Sequence, residues 1–137
     1  MEAFHPHMAP EGVGRISMLG LAHVGDAVYE LLVRTRLCTE GHQAIADLHR
    51  CTVRHVNAPA QAAAAERLLP RLSEEELAVY KRGRNTKTHG VPKRANVGEY
   101  HAATGLEALF GWLYLIGRVE RCQELFDYIW EGETHGA

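Results

Sequence analysis

Cysteine is scarce in this chain. Cys38, Cys51 and Cys122 are widely spaced, odd in number and without a C-x-x-C pair, which excludes a disulfide framework and a cysteine-rich zinc site. Histidine is plentiful at nine residues, yet no H-x-x-x-H or H-E-x-x-H spacing occurs, so zinc hydrolase chemistry has no motif to rest on. A long apolar run is also lacking. The most apolar stretch, Ala102 to Gly117, is too short to span a bilayer and is interrupted by Glu107. The opening MEAFHPHMAPEG has no basic segment followed by an apolar one, so it does not read as a secretory signal. The expectation is a soluble, cytoplasmic protein with no membrane partner.

The 137 residues suit one domain with its own core. Hydrophobic residues at 46% and charged residues at 23% are ordinary globular values. The net charge of −2 speaks against an anionic partner until its distribution is considered. Lys81, Arg82, Arg84, Lys87, Lys93 and Arg94 fall within fourteen residues that contain no acid. The other 123 residues carry nine bases against seventeen acids. A concentrated basic patch therefore sits on an acidic body, a footprint suited to nucleic acid.

Strand signals of useful length are missing, and helical ones fill their place. Residues 1–13 read as a mobile tail, 14–132 as the domain and 133–137 as a C-terminal tail. From Ile16 to Leu37 the apolar residues Leu21, Val24, Val28 and Leu31 repeat at helical spacing, and Gly41 marks a stop just past the end. Gln43 to His55 repeats the pattern with Ile45, Leu48 and Val53 inward. Asn57-Ala58-Pro59 is a break and restart, since Pro is tolerated in a first turn. The alanine-rich run from Gln61 to Leu69 is a strong helix former that Pro70 ends. Ser73-Glu74-Glu75-Glu76 matches a capping box, and its helix is expected to stop at Gly83. Asn85 to Ala95 reads as a loop, followed by helices from Val97 to Ile116 and from Val119 to Trp130. The predicted architecture is a single all-α bundle.

Two acids stand out against this apolar background. Glu107 is the only formal charge between Tyr100 and Gly117, and Asp26 shares the segment Ile16 to Val33 with Glu30 alone. Both helices are apolar around most of their circumference, so both acids are expected to be largely buried. A buried carboxylate needs a partner. A cation between the two acids would serve, and oxygen ligands without sulfur favour magnesium, with manganese able to substitute. An Arg, a backbone amide or a water would serve as well. Asp26 could pair with His23 or Arg34, and Glu30 is placed to pair with Arg34.

The basic segment KRGRNTKTHGVPKR adds Asn85, Thr86 and Thr88, which can donate to phosphate or ribose oxygens. It contains no aromatic residue and so offers no stacking platform for single-stranded bases. Duplex RNA is recognised by shape, phosphates and 2′-hydroxyls. The segment fits a duplex, or else a solvated basic loop.

Taken together these residues resemble a known family. Leu19-Gly-Leu-Ala-His-Val-Gly-Asp-Ala-Val-Tyr-Glu30 is similar to the signature of ribonuclease III. Thr104-Gly-Leu-Glu-Ala-Leu-Phe-Gly-Trp-Leu-Tyr-Leu115 resembles its second acidic motif. Arg82-Gly-Arg-Asn-Thr-Lys87, with Val91-Pro-Lys93 after it, is similar to a motif of the Mini-ribonuclease III branch, which lacks the separate double-stranded-RNA-binding domain. The resemblance covers roughly residues 16 to 130, with the three motifs in order.

The resemblance implies an all-α endonuclease domain of the ribonuclease III type, working as a homodimer and cutting double-stranded RNA with Mg²⁺, or Mn²⁺ in its place. Asp26 and Glu107 match the catalytic and metal-holding acids. Arg82, Arg84, Asn85, Lys87 and Lys93 are the implied RNA contacts. The branch is associated with maturation of the 23S ribosomal RNA precursor, which adds ribosomal proteins as possible further partners. Larger members carry two more acids, where this chain has Ala22 and Thr104. Those losses are shared by the Mini branch, and they imply a sparse metal shell. The rival is a non-catalytic double-stranded-RNA-binding dimer.

Overall fold

The computed structural model describes residues 1–41, 44–87 and 90–135. Among the described residues it holds seven α-helices and no strand: α1 (Pro10–Gly14), α2 (Met18–Thr39), α3 (Ile45–Val56), α4 (Ala58–Leu68), α5 (Glu74–Arg84), α6 (Val97–Leu115) and α7 (Val119–His135). A 3-10 turn over Leu69–Arg71 links α4 to α5. Gln43, where the sequence reading began the second helical pattern, lies outside the described residues.

Helix α6 is the axis of the bundle. Its apolar side chains leave no polar face to turn toward water, and α2, α4 and α5 pack around it. Leu106, Leu109, Phe110 and Leu113 are fully buried. Tyr29 from α2 meets Phe110 edge-on, with ring centroids 5.2 Å apart, and meets Phe126 of α7 in the same way at 5.7 Å. Glycines permit the close crossings. A Cβ on Gly111 would lie 2.0 Å from the Leu21 carbonyl oxygen of α2. One on Gly83 of α5 would lie 2.8 Å from the Ala108 Cβ of α6.

The helix starts follow from their caps. Ser17, Asn57 and Asn96 accept from the backbone N–H three residues on, at 2.9, 2.8 and 3.0 Å. The Ser73–Glu76 capping box is complete, with Glu76 N donating to Ser73 Oγ at 3.1 Å and Ser73 N donating to Glu76 Oε1 at 2.9 Å. Glu76 is buried, and Arg121 of α7 donates to both of its carboxylate oxygens, at 2.8 and 2.9 Å. The cap is thereby tied to the last helix.

Several expectations are corrected. Helix α5 does not stop at Gly83 but runs on to Arg84, because that glycine serves helix packing rather than chain reversal. Leu31, Ile45 and Val53 do not point inward and are 60%, 80% and 46% exposed. The buried stripe of α2 is Leu21, Gly25, Tyr29, Val33 and Leu37, with Ala22 beside it. Its steps of four follow the crossing on α6, whereas the Val24–Val28–Leu31 row falls to one side of it. The N-terminal residues do not simply trail away. Pro6 and Val13 are buried, and Met8 N donates to the Leu115 carbonyl at 2.8 Å, satisfying one of the free acceptors at the end of α6. Helix α7 extends five residues past Trp130. The three cysteines are free, as expected.

Candidate active site

The site forms where α2 crosses α6. The backbones are in contact there: a Cβ on Gly25 would lie 1.6 Å from the Glu107 carbonyl oxygen and 2.8 Å from the Gly111 nitrogen. Only glycine permits this approach. The crossing sets Asp26, the next residue on α2, beside the Glu107 side chain, close enough for the two carboxyl groups to interact. Glu107 is largely enclosed. Asp26 is exposed at the rim, contrary to the burial expected of it, because Gly25 rather than Asp26 occupies the contact face.

Burial pushes the Glu107 carboxyl up to about 8, and the hydrogen bond with Asp26 and the negative charge of Asp26 add to the rise. Gln61 of α4 acts in the opposite direction. Glu107 opens onto a pocket of about 210 Å³ lined by Val56, Ala58, Gln61, Tyr100, Ala103 and Thr104. Among the described residues, neither Asp26 nor Glu107 has a Lys, Arg or His within ion-pair distance. Arg34, the candidate partner of Asp26, is engaged by Glu30 at 3.2 Å.

Gln61 has no place in the sequence-based site. It is 2% exposed, and its Nε2 completes no well-formed hydrogen bond. Burying an amide without its bonds costs about 1–3 kcal/mol. The spacing of Gln61, Ala64, Ala65 and Leu68 at zero, three, four and seven steps was the available signal. All four are buried, so Gln61 is the polar member of an otherwise apolar inward stripe.

The donor chemistry suits a hard cation. Two carboxylates without a basic partner and a neighbouring amide are oxygen donors, and sulfur is absent. No group of three or more His, Cys, Asp or Glu side chains is clustered for a metal among the described residues. Such a pair fits magnesium, which retains several waters and needs only one or two carboxylates from the protein. Ala22 and Thr104 are both buried and bring no charge to the site. The Thr104 hydroxyl donates to the Tyr100 carbonyl at 3.0 Å.

The basic segment begins at the end of α5. Gly83 packs on Gly105 and Ala108 of α6, so Arg82 and Arg84 flank a contact with the same stretch of α6 that carries Glu107. Arg82 is exposed and lines a groove of about 870 Å³ that also holds Trp112 and Arg118. The Arg84 guanidinium lies over the Tyr80 ring, 5.7 Å from its centroid, and its Nε donates to Asn85 Oδ1 at 3.2 Å. Asn85, Lys87 and Lys93 are exposed. Thr88 lies outside the described residues.

Comparison with known proteins agrees with this picture. Residues 19–118 match the family described as Ribonuclease III domain. The chain is 50% identical over 119 residues to the Mini-ribonuclease 3 of Symbiobacterium thermophilum, covering 84% of this chain and 92% of that one. It is 44% identical over 120 residues to the Mini-ribonuclease 3 of a Thermoanaerobacter species, with 88% and 84% covered. A crystal structure of a Fusobacterium nucleatum protein superposes with a TM-score of 0.78 at 34% identity, covering 87% of this chain and 95% of the other. The paired acids, the all-helical fold and these likenesses together place the chain in the ribonuclease III family of endoribonucleases, among the Mini-ribonuclease 3 proteins.

Proposed function

We propose that this protein cleaves double-stranded RNA with a divalent cation, Mg²⁺ or Mn²⁺, held by Asp26 and Glu107. The observation that carries the reading is the pairing of these two carboxyl groups without any cationic side chain to neutralise them. A bound cation supplies Lewis acidity, making a water more acidic and offsetting charge that develops on the scissile phosphate. Glu107 contributes an enclosed carboxyl whose proton must leave before it can act as a ligand. Asp26, at the rim, faces both the cation site and the incoming backbone. Arg82, Arg84, Asn85, Lys87 and Lys93 grip phosphates and riboses, and their lack of aromatics suits a duplex.

A homodimer brings two such sites to one duplex, one for each strand. Leu31, Ile45 and Val53, exposed on α2 and α3, offer apolar area for a second copy to cover. The substrate in this reading is the 23S ribosomal RNA precursor, with ribosomal proteins as possible neighbours on it, and the setting is the cytoplasm. Among the described residues no helix is long and apolar enough to cross a membrane.

The test is cleavage of a simple RNA duplex with and without Mg²⁺, wild type beside Asp26→Asn. Wild-type cleavage that requires Mg²⁺ and disappears in Asp26→Asn, with fold and dimer intact, is the expected result. Undiminished cleavage by Asp26→Asn refutes the assignment. Duplex binding by the wild type with no cleavage under any divalent cation leaves the non-catalytic RNA-binding dimer.

A further inference from the structure

We propose that Gln61 is a positioning residue of the site, its side-chain amide holding the Glu107 carboxylate from the α4 side of the pocket. The inference rests on the assignment of Asp26 and Glu107 as the cation-holding pair, and it adds a third helix to that site.

Three observations converge. Gln61 is 2% exposed, yet its Nε2 makes no well-formed hydrogen bond. It lines the same small pocket as Glu107. The Thr104 hydroxyl, which lines the same pocket, is spent on the backbone of its own helix. Val56, Ala58 and Ala103 line the pocket without polar side chains, and Tyr100 is the other polar residue of its wall. An amide buried in such surroundings is retained for what it faces. Here that is a carboxylate, an acceptor that the amide N–H satisfies and orients. Groups that fix a ligating carboxylate by hydrogen bonding set its orientation and basicity, and their loss costs about 10- to 100-fold in metal affinity or activity.

The experiment compares Gln61→Met with wild type. Methionine keeps the length and flexibility of the side chain and removes the amide. Mn²⁺ binding to the RNA-free protein is measured by calorimetry, and RNA-duplex cleavage is resolved into kcat and KM. Positioning predicts Mn²⁺ binding weakened about tenfold and kcat reduced about 10- to 100-fold, with KM within about threefold and a cooperative thermal transition retained. Should Gln61→Met fail to fold, Gln61→Glu decides. It preserves shape and places a third carboxylate against Glu107, so a several-fold change in Mn²⁺ affinity supports the proposal and an unchanged affinity overturns it. Wild-type Mn²⁺ affinity and kcat in Gln61→Met overturn the inference about Gln61 alone, provided Asp26→Asn is inactive. An Asp26→Asn protein that still binds Mn²⁺ and cleaves RNA as wild type does overturns the site assignment itself, and this inference with it.

Discussion

The Glu107 carbonyl oxygen occupies the space into which a side chain at residue 25 would grow, 1.6 Å from where a Cβ on Gly25 would stand. This contact puts Asp26 against Glu107, and with it the chemistry of the site. Gly25→Ala must push α2 away from α6. Overpacking a helix contact of this kind costs roughly 3 kcal/mol. The expected outcome is a urea midpoint lowered accordingly, together with loss of RNA cleavage. A variant as stable and as active as wild type would show that the backbones do not touch.

Glu107 makes the stability of the metal-free protein depend on pH. Its folded-state pKa, raised to about 8 from an ordinary 4.5, means that the folded chain holds this proton more tightly than the unfolded chain. The stability this confers is complete below about pH 4.5 and is lost as pH rises toward 8. In chelator, Glu107→Gln is expected to be more stable than wild type at pH 8, by an amount on the order of a few kcal/mol, and equal to it near pH 4. Added Mg²⁺ should narrow the gap by binding the ionised wild type. Chemical denaturation across this range, with and without Mg²⁺, measures it. A gap independent of pH would contradict the assignment.

The basic loop is tested by salt. Arg82→Gln and Arg84→Gln should each lower duplex affinity and reduce the slope of log affinity against log salt by about 1. Arg84 is also held by Tyr80 and Asn85, so its replacement should release Asn85 as well and weaken binding further than Arg82→Gln does. Inactive Asp26→Asn protein allows the measurement in the presence of Mg²⁺. An unchanged slope in both variants removes the loop from the interface.

Arg121 supports the fold through Glu76. Its hydrogen bonds hold the Glu76 carboxyl below the usual range. The stability conferred is present above about pH 4.5 and is lost as pH falls through the depressed value. Arg121→Met strands a buried carboxylate and should destabilise the protein by about 3 kcal/mol near neutral pH. The deficit should shrink in acid, where Glu76 protonates. Denaturation at pH 7 and pH 4 checks both the size and the direction.

Sequence reading succeeded where local chemistry decides. The capping box at Ser73, the restart at Asn57-Ala58-Pro59, the breaks at Gly41 and Pro70, and the course of α6 all depend on a residue and its near neighbours along the chain. The resemblance of two motifs to ribonuclease III implied Asp26 and Glu107 as a pair, and composition isolated the basic segment between Lys81 and Arg94. Tertiary structure decided what periodicity leaves degenerate. A helix as apolar as α2 has several rows that could face inward, and the glycine crossing on α6 selected the Gly25 row, leaving Leu31 outside and Asp26 at the rim. It turned Gly83 from an apparent stop into a packing contact. It also brought Gln61, an unmarked residue at the head of an alanine run, into the pocket beside Glu107. The pairing of acids was legible only through the resemblance of their two motifs to a known family. The enclosure of Glu107 and the neighbour that orients it were not, because those depend on which helix surfaces come close enough to exclude water.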